Sequence, residues 1–130
     1  YIKFANRNVM VITIIEEARA VDQIEEIAAV PGIDVIFIGT TDLSFSLGLG
    51  GRQDDPKHAE AVRKIVAAAK RHNIPVGRPA GSAEQVQRFL QEGFLFFQAG
   101  TELGMMSSGA RTLLQPLGKS AVDPSKRPLY

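Results

Sequence analysis

Four short runs of β-branched and aromatic residues recur along the chain, and a helix-forming stretch follows each one. The runs are residues 9–15 (Val-Met-Val-Ile-Thr-Ile-Ile), 33–38 (Ile-Asp-Val-Ile-Phe-Ile), 74–77 (Ile-Pro-Val-Gly) and 94–99 (Phe-Leu-Phe-Phe-Gln-Ala). Near-continuous apolarity of this kind predicts strands covered on both faces. Strand–helix alternation in turn predicts parallel strands joined by crossover helices, an α/β fold.

The connecting segments carry helix signals. Residues 17–30 place Val21, Ile24, Ile27 and Ala28 at helical spacing, and Pro31-Gly32 ends that helix. Gly39-Thr40-Thr41-Asp42 reads as a loop and residues 43–47 as one helical turn. Residues 48–55 hold too much glycine for regular structure. Asp55-Pro56 opens a long helix, with an acid to cap it and proline in its first position. Its predicted apolar stripe is Ala59, Val62, Val66 and Ala69. Ser82 and Gln85 form a capping box for the next helix, which Gly93 ends. A last helix spans 105–114, with Met105 and Met106 expected in a core. The stretch 115–130 contains Pro116, Pro124 and Pro128 and reads as an extended tail.

Composition narrows the function classes. Fifteen Lys and Arg against fourteen Asp and Glu leave a net charge of +1, which points to neither nucleic acid nor an anionic membrane as partner. The absence of cysteine excludes disulfides, thiolate metal sites and cysteine catalysis. No apolar run approaches the roughly 20 residues of a membrane span, and no signal peptide is apparent. The expectation is a cytoplasmic domain. The chain starts at Tyr1 inside what looks like a structured region, so it reads as a stretch of a longer protein.

Four doubly apolar strands need cover on both faces, and crossover helices on one side supply half of it. An eight-stranded barrel needs about 250 residues, and this chain has 130. Two architectures therefore remain: a small open sheet, or about four β-α units of a barrel completed elsewhere.

In parallel α/β folds the carboxyl ends of the strands converge on one face, and chemistry is placed there. Glu16 and Glu17 follow the first strand, Thr40, Thr41 and Asp42 the second, Arg78 the third, and Thr101 and Glu102 the fourth. Glu16 and Asp42 together suit a hard divalent cation such as Mg²⁺ or Mn²⁺, leaving positions for water and a chelating 2-oxo acid. A cation there would act as a Lewis acid towards an enolate. The plainer reading makes Glu16 and Glu17 first-turn acids that favour the helix dipole, and Asp42 a cap. Arg78 is either an anion contact or a solvated loop residue. His58 and His72 lie on the long helix, away from the strand ends.

Several stretches together resemble the HpcH/HpaI aldolase family. They are Ile15-Glu16, Ala20-Val21-Asp22, residues 26–34 (Glu-Ile-Ala-Ala-Val-Pro-Gly-Ile-Asp), residues 37–44 (Phe-Ile-Gly-Thr-Thr-Asp-Leu-Ser) and Gly100-Thr101-Glu102-Leu103-Gly104. The likeness runs over residues 9–114. It implies a (β/α)8 TIM barrel, with residues 1–114 as its C-terminal half and 115–130 as the tail. It implies a metal-dependent class II aldolase that cleaves a 4-hydroxy-2-oxo acid to pyruvate and an aldehyde. Glu16 and Asp42 are then the metal ligands, for Mg²⁺ or Mn²⁺, with Co²⁺ also admitted. Gly39, Thr40 and Thr41 hold the carboxylate of pyruvate and Pro79 walls the pocket, while Arg78, from its place after the third strand, is expected as a further substrate contact.

The family's histidine base and its pyruvate-binding arginine belong to the other half of the barrel, so the catalytic base is expected outside this chain. Relatives assemble as oligomers, so a homo-oligomer is implied, with the helix at 105–114 packing across subunits. This chain has Gly39-Thr40-Thr41-Asp42 where the family has Gly-Pro-x-Asp, and Ile14 where glutamine is common. Two other readings stay open: a catalytically incomplete half-barrel acting in assembly, and a related metal-enolate decarboxylase or acyl lyase.

Overall fold

The computed structural model describes residues 2–5 and 7–117. Two compact units divide the chain, one ending at Ala99 and the other starting at Gly100. The first begins with a short helix, α1 (Ile2–Ala5), and is built on four strands: β1 (Ile12–Ile15), β2 (Val35–Ile38), β3 (Val76–Ala80) and β4 (Phe96–Ala99). They pair in sequence order, all parallel, as the alternation requires. The helices are α2 (Ala18–Asp22), α3 (Ile24–Ala28), α4 (Thr40–Ser46), α5 (Pro56–Arg71) and α6 (Ala83–Gln91).

Strand alternation sorts the side chains. Ile15, Ile36, Ile38, Val76 and Ala80 face the helices and are buried with Ile24, Leu43, Ile65, Ala68 and Phe89. The opposite face carries Ile12, Ile14, Phe37, Gly77 and Phe96, and Ile14 is 55% exposed. Gly77 sits between Phe37 and Phe96, whose rings meet edge to face at 6.2 Å. A Cβ at Gly77 would lie 2.8 Å from the Phe37 ring and 2.9 Å from the Phe96 carbonyl oxygen. Only hydrogen fits there.

Several boundaries differ from expectation. Residues 9–11 stay outside β1, because the ladder with β2 covers only Ile12–Ile15. The expected helix over 17–30 is two short helices that share Gln23 as cap, and Ile27 N–H still donates to the Gln23 carbonyl. α4 starts at Thr40 and takes in most of the expected loop. β3 extends to Ala80, so Arg78 and Pro79 lie within the strand and not after it. Pairing of β2 with β3 stops at Gly77, which leaves one side free at Pro79 and makes room for a residue without an N–H.

α5 begins as expected, with Lys57 N–H donating to Asp55 Oδ1 at 2.9 Å. Its buried stripe is rotated from the predicted one. His58, Ala61, Ile65, Ala68 and Ala69 are buried, whereas Ala59, Val62 and Val66 are only partly covered. The cause is packing against α2 and α3, which takes Ile65 as its centre.

The second unit holds α7 (Glu102–Leu114) and a 3₁₀ turn over Gln115–Leu117. Thr101 caps α7 by accepting from Gly104 N–H at 3.2 Å. This cap starts the helix three residues earlier than expected. Met105 and Met106, expected in a core, are 64% and 71% exposed. The tail expected from residue 115 is helical through Leu117, and residues 118–130 lie outside the described residues. Among the described residues no helix is long and apolar enough to cross a membrane.

Replacing Gly77 with alanine forces Phe37 or the β4 backbone to move. The expected cost is about 1–3 kcal/mol of stability, read as a lower urea midpoint with an unchanged slope.

Candidate metal and substrate site

The β1–β2 register sets Ile15 beside Ile38, so Glu16 and Gly39 are the first residues beyond the paired ends. The Gly39 amide donates to the Ile15 carbonyl at 3.1 Å and holds the two ends level. Glu16 lies directly over Gly39. A Cβ built on Gly39 would be 2.8 Å from Glu16 Oε2, 2.9 Å from Glu16 Cβ and 3.4 Å from Ile14 Cγ2. Glu16 therefore shares the open face of the sheet with Ile14, and Gly39 is required by the close approach.

Asp42 comes from the first turn of α4. Ser46 lies four residues on, along the same helix face. Its Oγ accepts the Ala18 N–H at 2.9 Å, which fastens that face of α4 to the segment carrying Glu16. The structure thus ties the segment that follows Glu16 to the helix face that carries Asp42. Both carboxylates are exposed, and among the described residues neither has a salt bridge or a side-chain hydrogen bond.

α4 begins without a side-chain cap, because its N-cap is Gly39. Its leading N–H groups therefore have no partner within the helix. Asp42 also sits favourably near the positive end of that short helix. Glu17 is the N-cap of α2 but makes no capping bond. The plainer reading is thus met in part at Glu17, an acid at the start of α2, and not at Asp42, which lies inside α4 and caps nothing.

Three polar residues stiffen α4 from behind. Ser44 Oγ donates to the Thr41 carbonyl at 2.7 Å. Gln53 Nε2, from the glycine-rich loop, donates to Thr41 Oγ1 at 3.1 Å. His58 is 2% exposed, and its Nε2 lies 3.0 Å from the Thr40 carbonyl oxygen, so that nitrogen carries the proton. The sequence placed His58 on α5 without a role. The signal available was its spacing of three and seven residues from Ala61 and Ile65, which puts it on the buried face.

The third strand divides its two candidates. Gly77 faces the open side, and Pro79 follows it there by alternation, beside Gln98 of β4. Gln98 was missed; the signal was a lone polar residue in an apolar strand. Arg78 faces the helices instead. Its guanidinium stacks 3.9 Å from the Phe89 ring centre and 5.2 Å from that of Phe94. The expectation that Arg78 borders the mouth does not match this placement, because strand alternation puts it on the other face of the sheet. Burial lowers its pKa, Glu92 opposes that, and Arg88 adds to it.

Two hard oxygen donors with open surroundings fit a divalent cation that completes its shell with water and a chelating ligand. Among the described residues no group of three or more His, Cys, Asp or Glu could hold a metal, so this chain offers a pair and no closed cage.

The sequence profile of the HpcH/HpaI aldolase/citrate lyase family matches residues 2–108. The chain belongs to that family. It is 34% identical over 119 residues to a 5-keto-4-deoxy-D-glucarate aldolase of Klebsiella pneumoniae, covering 92% of this chain and 46% of the relative. It is 36% identical over 120 residues to a 2-dehydro-3,6-dideoxy-6-sulfogluconate aldolase of Pseudomonas putida, covering 92% and 47%. A solved HpcH/HpaI family protein from Burkholderia cenocepacia superposes with a TM-score of 0.83 at 33% identity, covering 92% of this chain and 46% of that one. Macrophomate synthase superposes with a TM-score of 0.75 at 26% identity, covering 90% and 41%. The chain therefore spans about half the length of the relatives it matches.

His58→Phe keeps the ring volume and removes the bond to Thr40. We expect a loss of about 1 kcal/mol, with faster amide exchange concentrated in α4.

Proposed function

We propose that this chain is the metal-binding half of an aldolase that cleaves a 4-hydroxy-2-oxo acid to pyruvate and an aldehyde. The observation that carries the reading is the seating of Glu16 over Gly39, with the Asp42 face of α4 fastened to the same segment through Ser46 and Ala18. Family membership and the aldolase names of the relatives support it.

Glu16 and Asp42 hold a divalent cation, Mg²⁺ or Mn²⁺. When bound, that ion supplies Lewis-acid polarisation of the 2-oxo group. The chain's own groups do the rest of the positioning. The leading N–H groups of α4, at Thr40 and Thr41, receive the substrate carboxylate with the positive end of the helix behind them. Gln53 and Ser44 hold Thr41, and His58 holds Thr40, so these donors are set before substrate arrives. Pro79 forms a rigid wall on the open face, and Gln98 beside it offers a donor to a hydroxyl of the aldehyde portion.

Arg78 has no part in this mouth. Proton transfer falls to a base outside this chain. We further propose that the sheet continues into a (β/α)8 barrel and that the protein is a homo-oligomer. Exposed Leu103, Met105, Met106 and Leu113 on α7 support packing between subunits.

The test is made on the protein with its remaining barrel units. Pyruvate release from a panel of 4-hydroxy-2-oxo acids is followed with and without Mn²⁺. We expect chelator-sensitive release, and no release with any metal rejects the reading. Mn²⁺ titration by calorimetry gives a second check. Asp42→Asn and Glu16→Gln are each expected to weaken binding by more than about tenfold, as removal of one charged oxygen ligand of a hard cation implies. Unchanged affinity in both rejects the ligand assignment.

Gly39→Ala gives a subtler readout, because its methyl meets Glu16 Oε2 and Cβ and displaces that side chain while both carboxylates are kept. Mn²⁺ affinity should fall while α4 stays folded by circular dichroism.

A further inference from the structure

The helix side of β3 holds a feature that the aldolase reading does not use. A groove of about 520 Å³ is lined by α5, by Arg78 of β3 and by Glu92 and Phe94 just after α6. It includes Ala59, Val62 and Val66, three of the four positions in the apolar stripe that the sequence singles out on α5, which are only partly buried. Phe94 lies at its base. The groove lies over the third of four paired strands, away from the free edges at β1 and β4.

Its charge is out of balance. Arg78 lies partly buried in the groove, which Arg63 also lines, and Arg88 stacks 4.8 Å from the Phe89 ring that Arg78 also covers. Glu92 is the acid at the groove, and it is shared with Arg88, whose Nε lies 3.7 Å from Glu92 Oε1. Among the described residues Arg78 forms no hydrogen bond and no ion pair, and its Nε is buried without an acceptor. Stacking on Phe89 covers the flat face of the guanidinium. What remains is its edge, the part that takes a carboxylate through two parallel N–H bonds.

We propose that this groove is a second ligand site, for a small monocarboxylate with an apolar body. The carboxylate pairs with the edge of Arg78, with Arg63 adding charge, and the body lies along Val62 and Val66. The site is on the opposite face of the sheet from Glu16, although Gln53 and His58, which hold Thr41 and Thr40, are among its lining residues.

Sodium benzoate is the probe, titrated into the full chain and followed by calorimetry and by arginine side-chain NMR. Saturable binding is expected, with the Arg78 signals shifted. Arg78→Met keeps the stem on Phe89 and should weaken binding by about tenfold or more. Arg78→Lys, which keeps charge and loses the planar edge, should fall between the two. Asp42→Asn should bind benzoate like the unaltered chain, which separates this site from the metal mouth. Equal binding by Arg78→Met overturns the proposal, as does benzoate that shifts only signals at the mouth. Absence of binding by the unaltered chain also overturns it, and if Glu92→Gln then gains binding, Glu92 itself is the occupant of Arg78.

Discussion

Register between β1 and β2 is the constraint on which the candidate site depends. Ile15, Ile36 and Ile38 face the helices and are almost completely buried. Each contributes about 1.5–3 kcal/mol relative to exposure. A slip by one residue would turn all of them out and would carry Glu16 from the open face to the helix side. The energy that fixes the carboxylate is thus spent well away from it, in aliphatic packing. Gly39 then makes the fixed register usable, because a side chain at that point would meet Glu16 itself. The tether from Ala18 to Ser46 adds the remaining degree of order, relating the α4 face to the β1 end.

Much of this was legible in the residues. Alternating runs gave the parallel order, and Asp55-Pro56 gave the start of the long helix. The misses have physical causes. Helix periodicity counts apolar residues without weighing them, so the stripe through Val62 and Val66 was preferred to the one through Ile65, which packing selects. The third strand was expected to end at Gly77, short of Pro79. Which neighbour is paired at that point, and so whether an N–H is needed, is a tertiary fact that no local pattern contains. Arg78 was assigned to the mouth because it was thought to lie in a loop. Once it is inside a strand, parity alone sends it to the other side. His58 looked idle because its partner is a backbone carbonyl, which leaves no trace in side-chain types.

The same scaffold carries proteins named as aldolases and proteins named as synthases. Fold alone therefore does not choose the reaction. On the reading proposed above, the choice falls to a few positions around Glu16 and Asp42: the threonines that open α4, the proline in β3 and the glutamine in β4. On that reading they would set width and hydrogen bonding at the mouth, over an aliphatic layer that does not reach it.

β1 and β4 are the outer strands of the sheet, and β1 reads Ile-Thr-Ile-Ile. A border of that kind has neither lysine nor proline to discourage a visiting chain, and its spare amides and carbonyls form a template. When this stretch is produced by itself, recombinant yield will be governed by strand addition at that border more than by the strength of its core. Dilute handling, or a short capping peptide laid along Ile12–Ile15, is the remedy that the geometry recommends.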